Sequence, residues 1–204
     1  MKKTFIPLLI TLIFALVIFY GCGGKKGPKT LTAPELIDQG WTKFKAGDFS
    51  GASGDFKAAL GLDSTATNYD ALLGLGWTEL RQNHGGLSEK AFLAYLSKVS
   101  DSNDAKGGLA LAYLADDKFE DAITSANAVL SSNPDWAFSN DTNMNQLDVK
   151  LVLVQSYYET ADYAQSLAAI KLYFDSSFNP GDVNTNEGRI ALAKKIQSLN
   201  EGIS

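Results

Sequence analysis

The chain has 204 residues, 45% of them hydrophobic and 20% charged, which is a globular composition and excludes a disordered or fibrous chain. Basic residues number 18 against 23 acidic, a net charge of −5, so the chain lacks the surplus of Lys and Arg needed to neutralise nucleic-acid phosphates. Its single cysteine excludes an internal disulfide framework.

Residues 1–22 read as an export signal. Lys2 and Lys3 form a positive start, and residues 5–19 are apolar apart from Pro7 and Thr11. Cys22, the lone cysteine, stands among Gly21, Gly23 and Gly24. This arrangement resembles a bacterial lipoprotein signal, in which the chain is cut before a cysteine that then carries lipid. Gly21 and Cys22 fit that pattern, whereas Phe19 and Tyr20 depart from its preference for an aliphatic and then a small residue. The resemblance implies a signal peptide over 1–21, lipid on Cys22, and attachment to a bacterial envelope membrane. The Gly after the cysteine implies the outer membrane, facing the periplasm. An uncleaved membrane anchor is the alternative reading of the same apolar run. Without residues 1–21 the net charge is about −7. Residues 22–31, rich in Gly and Lys, are expected to be a flexible tether.

Thr32, Pro34 and Glu35 form a helix start, with Thr32 and Glu35 spaced for a capping box. Leu36, Ile37, Trp41 and Phe44 follow at helical spacing until Gly47 and Asp48 interrupt. A second helix carries Phe49, Ala52, Phe56, Ala59 and Leu60 and ends near Asp63 and Ser64. The phrase Gly40-Trp41-Thr42 recurs 36 residues later as Gly76-Trp77-Thr78. A recurrence at that period predicts stacked helical hairpins, each burying its apolar face on its neighbours. The second hairpin has helix A at about 68–82 and helix B from Ser88, with Asn83-His84-Gly85-Gly86 read as a turn about three residues longer than is usual for such hairpins. The third carries Ala110, Tyr113, Phe119, Ala122, Ala126 and Val129 and ends at Pro134. A polar insertion follows over 135–145, which Trp136 and Phe138 are expected to pin to the array. The fourth hairpin spans about 147–173, with Leu153 and Tyr157 at the helix-A positions and Tyr163, Ser166 and Ile170 in helix B. A last amphipathic helix at about 185–199, with Ile190, Leu192, Ala193, Ile196 and Leu199, reads as a cap on the open end.

Gly40, Gly47-Asp48-Phe49, Ala52, Phe56 and Ala59 resemble the tetratricopeptide repeat, although Leu36 and Ser64 stand where that family prefers tryptophan and proline. The resemblance covers about residues 33–178. It implies an all-α, right-handed superhelical array of about four hairpins over 32–182 with a capping helix at 183–204, and a non-catalytic scaffold that binds proteins or peptides. By the same resemblance Ile37, Trp41, Phe44 and Lys45 of the first unit and Leu73, Trp77, Leu80 and Arg81 of the second line a partner groove. Packing of Trp41 and Trp77 as core between neighbouring helices is the competing reading. The family's lipoproteins assist barrel or pilus-secretin assembly; a lipoprotein holding a solute or polysaccharide is the other class.

Catalytic chemistry is not expected. His84, the one histidine, reads as a solvated turn residue, and Gly107-Gly108 as a place where helices pack closely. Asp141-Thr142-Asn143-Met144-Asn145 looks like the start of a calcium loop, but Gln146 and Val152 occupy the places that need Gly and Glu, so a polar cap on the next helix is preferred. No cofactor, metal or nucleic-acid partner is expected.

Overall fold

A computed structural model describes residues 30–62 and 68–203. The signal, Cys22, the tether up to residue 29, and Asp63 and Ser64 lie outside the described residues. The described residues from Leu31 onward form one compact unit. Its helices are α1 (Ala33–Lys45), α2 (Phe49–Leu62), α3 (Tyr69–Arg81), α4 (Gly85–Leu96), α5 (Asn103–Ala115), α6 (Phe119–Ser132), α7 (Gln146–Glu159), α8 (Tyr163–Tyr173) and α9 (Asn186–Ile203). Each helix packs on the next from α1 to α8, and α1, α3, α5 and α7 also touch in succession. This is an all-α superhelical array of four hairpins. None of the described helices is long and apolar enough to cross a membrane.

The capping box opens α1, with the Thr32 amide donating to Glu35 Oε2 at 2.9 Å and the Thr32 side chain accepting from the Glu35 amide. Every hairpin turns in three residues, and one residue of each turn is left-handed: Gly47, Asn83, Asp117 and Ala161, with φ between 57° and 79°. The amides of Asp48, His84 and Lys118 reach back to the carbonyls of Lys43, Glu79 and Tyr113 at 2.8–2.9 Å, closing the helix end in the usual left-handed fashion. The second turn is therefore no longer than the others, contrary to the sequence reading. Gly85 stands at the position of Phe49, Phe119 and Tyr163 and begins α4. A Cβ at Gly85 would meet the Asp116 carboxylate, the free end of a flexible side chain, which would have to swing aside for an aromatic to stand where the other hairpins place one.

The glycines of the helix-A series explain the period. Phe56 is fully buried between Gly40 of its own hairpin and Gly74 of the next; Phe92 is held in the same way between Gly76 and Gly108. A Cβ on Gly40 would lie 2.7 Å from the Phe56 ring and one on Gly76 2.6 Å from Phe92, and at Gly74 and Gly108 the clash would be closer still. Each ring is thus a wedge joining two units, and close packing of this kind is intolerant of one added methyl. Gly107-Gly108 accordingly makes room for rings, Trp136 and Phe92, rather than for a neighbouring helix backbone.

Where the alanine of the other hairpins is replaced by serine, the hydroxyl crosses the hairpin. Ser88 Oγ donates to the Gly76 carbonyl at 2.9 Å and Ser166 Oγ to the Val154 carbonyl at 2.8 Å. This pairing makes Val154 the counterpart of Gly76. Helix α7 is buried on two sides, with Val149, Val152 and Leu153 in the main core and Leu151 and Val154 in a second cluster with Ala169, Ile170, Leu192 and Ile196. Helix α9 enters that second cluster through Leu192 and Ile196, while Ile190 faces outward.

Candidate functional site

The insertion returns across the face built by α1, α3 and α5. Trp136 and Phe138 are buried there, while Ala137 and Ser139 between and after them are exposed, the alternation of an extended segment. The Phe138 ring stacks on Trp77 with centroids 4.2 Å apart and planes at 16°, and its edges meet Trp41 at 6.0 Å and Phe44 at 6.2 Å. Trp136 stacks on Trp77 at 6.3 Å, and its indole Nε1 donates to Asp104 Oδ1 at 2.8 Å. Arg81 lies over the Phe49 ring and pairs with Asp141 at 2.8 Å. The expectation that Trp136 and Phe138 pin the insertion to the array agrees with this arrangement. Asn145 accepts from the Leu147 amide and forms a capping box with Asp148, so the calcium-like stretch ends as a helix cap. Asp141, its first residue, is spent on Arg81.

Trp41, Phe44, Trp77 and Arg81 are thus brought to one surface, and the chain's own segment 136–141 lies on it. The two tryptophans differ. Trp77 has no exposed surface and is core, gripped from the other side by Phe92 at 5.6 Å, whereas Trp41 keeps part of its ring in solvent. Ile37 and Leu73 are buried in the same core cluster, Leu80 is half-buried, and Lys45 and Arg81 reach solvent. The open groove expected from the sequence is therefore a covered one. What remains open is a cleft of about 440 Å³ between Phe44, Lys45, Phe49 and Arg81 on one side and residues 139–143 on the other.

Asp104 is the contributor that sequence reasoning passed over. It sits in the first turn of α5, a common place for an acid, and nothing local marks it as the acceptor for an indole 32 residues later. Burial pushes its carboxyl above the ordinary value, and the hydrogen bonds from Trp136 and Ser139 oppose that shift.

His84 is not the purely solvated residue expected. Its Nδ1 meets Glu79 Oε2 at 2.8 Å, and Glu79, buried in α3, also accepts from Ser53 and Lys57 at 2.8 Å each. Burial alone would raise the Glu79 carboxyl, but hydrogen bonds from Lys57, Ser53 and His84 outweigh it and hold the pKa below its ordinary 4.5. A carboxylate lowered on folding contributes stability above its unfolded pKa and loses it as pH falls through the folded one. Unfolding by denaturant at pH 7 and pH 3 should show this: Glu79→Gln is expected to lose about 1.5–3 kcal/mol at pH 7, where hydrogen bonds to the charged carboxylate vanish, and to lose less than the parent on acidification. An acid response identical to the parent's contradicts the assignment.

The sequence pattern of the tetratricopeptide repeat family matches residues 37–105 and, overlapping, 79–137. The array is built of tetratricopeptide-like hairpins. A crystal structure of a tetratricopeptide repeat protein from Parabacteroides merdae ATCC 43184 resembles the chain with a TM-score of 0.57 at 18% identity, covering 84% of this chain and 63% of that one. The chain thus spans less than two thirds of that protein. No curated protein matches it. Tetratricopeptide-like hairpins form a helical scaffold of the kind that generally mediates protein interactions.

Proposed function

We propose that this chain is a scaffold without catalytic activity, anchored by lipid on Cys22 to a bacterial outer membrane and facing the periplasm, where its hairpin array binds a protein partner in envelope assembly of the barrel or pilus-secretin kind. The carrying observation is that the α1/α3/α5 face already holds a stretch of polypeptide, extended at 136–138 and turned at 138–141, by stacked rings, an indole–carboxylate bond and an ion pair. These are the means by which an array face recognises a peptide. Lys45 stands at the rim of the adjoining cleft and forms no ion pair among the described residues, so it is placed to meet an incoming chain.

Two experiments test the reading. A photoreactive residue at 45, compared in cells with one at the exposed Leu93 of α4, is expected to capture a protein that the control does not; equal capture at both sites, or none at 45, counts against a partner at this face. For the anchor, Cys22→Ser is expected to abolish labelling by a radioactive fatty acid and to release the domain from membranes. Absence of label on the parent chain would sink the lipid assignment. A second reading has a specific observation behind it: Ser139, Asn140, Thr142 and Asn143 converge with Lys45 and Arg81 over Phe44 and Phe49, a lining suited to a small polar solute. Solute binding would leave position 45 without a crosslinked protein.

A further inference from the structure

Among the described residues, the backbone hydrogen bonds of 136–144 close within 133–145: Trp136 N on Asn133 O, Phe138 N on Met144 O, Asp141 N on Phe138 O, and Met144 N on Asp141 O. Ala137 and Asn145 complete this by an antiparallel bridge. The holds on α1, α3 and α5 described above are all made by side chains, namely Trp136 on Asp104 and Trp77, Phe138 on Trp77, Trp41 and Phe44, and Asp141 on Arg81. A segment that shares no backbone hydrogen bond with α1, α3 or α5 can leave the face as a unit without opening a helix. The fit beneath it is also incomplete, because the indole N–H of fully buried Trp77 has no hydrogen-bond partner among the described residues. An unpaired buried donor is a feature that a better ligand could relieve.

We propose that the α1/α3/α5 face is a recognition site for a protein segment of the form aromatic–X–aromatic–X–X–acid, extended through its two rings and turning before the acid, and that residues 136–141 are its resident ligand, exchanging with a partner's segment of the same chemistry. This rests on the protein-binding reading above and adds the partner's chemistry and its control. Asp104 reads the indole N–H, the Trp77 face reads the second ring, and Arg81 reads the acid. A tethered ligand has an effective concentration on the order of millimolar, so a competitor's apparent affinity falls by the fraction of molecules in which the segment is closed.

The probe is a fluorescent peptide of residues 134–143, titrated into the whole purified chain and into its Trp136→Ala/Phe138→Ala variant. The variant is expected to bind the peptide at least about ten-fold more tightly than the parent, and adding Arg81→Ala to it is expected to weaken binding again. A variant that keeps its helical circular dichroism and binds no better than the parent overturns the proposal. If the variant does not fold, hydrogen exchange in the parent decides: the Trp136 indole N–H, whose bond to Asp104 breaks when the segment leaves, is expected to exchange ahead of the amides of α3 and α5, and exchange of all of them at one rate overturns the proposal. A parent dimer crosslinked from residue 141 of one copy to residue 81 of another would make a second copy the occupant and overturn the foreign partner. Failure of peptide exchange with position-45 crosslinking intact removes this proposal alone; loss of crosslinking with exchange intact removes the envelope-scaffold reading alone.

Discussion

Trp77→Ala is expected to lower folding stability by about 3–5 kcal/mol, the range for emptying a buried aromatic site. The ring has no exposed surface and touches three others: Phe92 edge-on, and Phe138 and Trp136 face to face. Removing it empties the floor on which residues 136–138 lie as well as one side of the wedge at Phe92. Trp41→Ala, at the equivalent place one unit earlier, leaves a partly exposed site and is expected to stay in the ordinary range of about 0.5–3 kcal/mol. Denaturant unfolding of both variants checks the split; equal losses would contradict it.

Phe92→Ala is expected to be as severe, about 3–5 kcal/mol, because its ring joins the second and third hairpins between Gly76 and Gly108. The complementary change approaches the same contact from the other side. In an open helix Gly→Ala gains up to about 1 kcal/mol, but Gly108→Ala drives a methyl into the Phe92 ring and is expected to lose about 1–3 kcal/mol. Combining it with Phe92→Leu should return part of that loss. Gly108→Ala with unchanged or higher stability contradicts the wedge.

The repeat was legible because its physical causes are local. A small residue in helix A, a left-handed turn and a large residue in helix B recur at fixed offsets, and Gly40, Gly47 and Phe56 display all three. The second turn misled because Gly85 resembles a turn residue. What it meets in the fold, the Asp116 carboxylate of the next hairpin, is a contact across 31 positions that no local pattern carries. The same limit applies at the site. Trp41 and Trp77 have identical surroundings in sequence, Gly before and Thr after, yet one is core and the other half-open. The difference comes from where Trp136 and Phe138 come down, which depends on Asp104 and Arg81 as partners of Trp136 and Asp141. Aromatic residues in a polar insertion signalled an anchor; their landing place is set by tertiary packing alone.

The central claim is that the chain's own insertion lies stacked on Trp77 and covers the face that would otherwise form an open groove. A double-mutant cycle over Trp77→Leu and Phe138→Leu, read by denaturant unfolding, tests it most directly, since leucine keeps each site apolar and the cycle isolates the pair. Rings in contact at 4.2 Å predict a coupling energy of about 0.5–3 kcal/mol. Losses that add to within about 0.3 kcal/mol would mean that the two residues do not meet, and that the face is open after all.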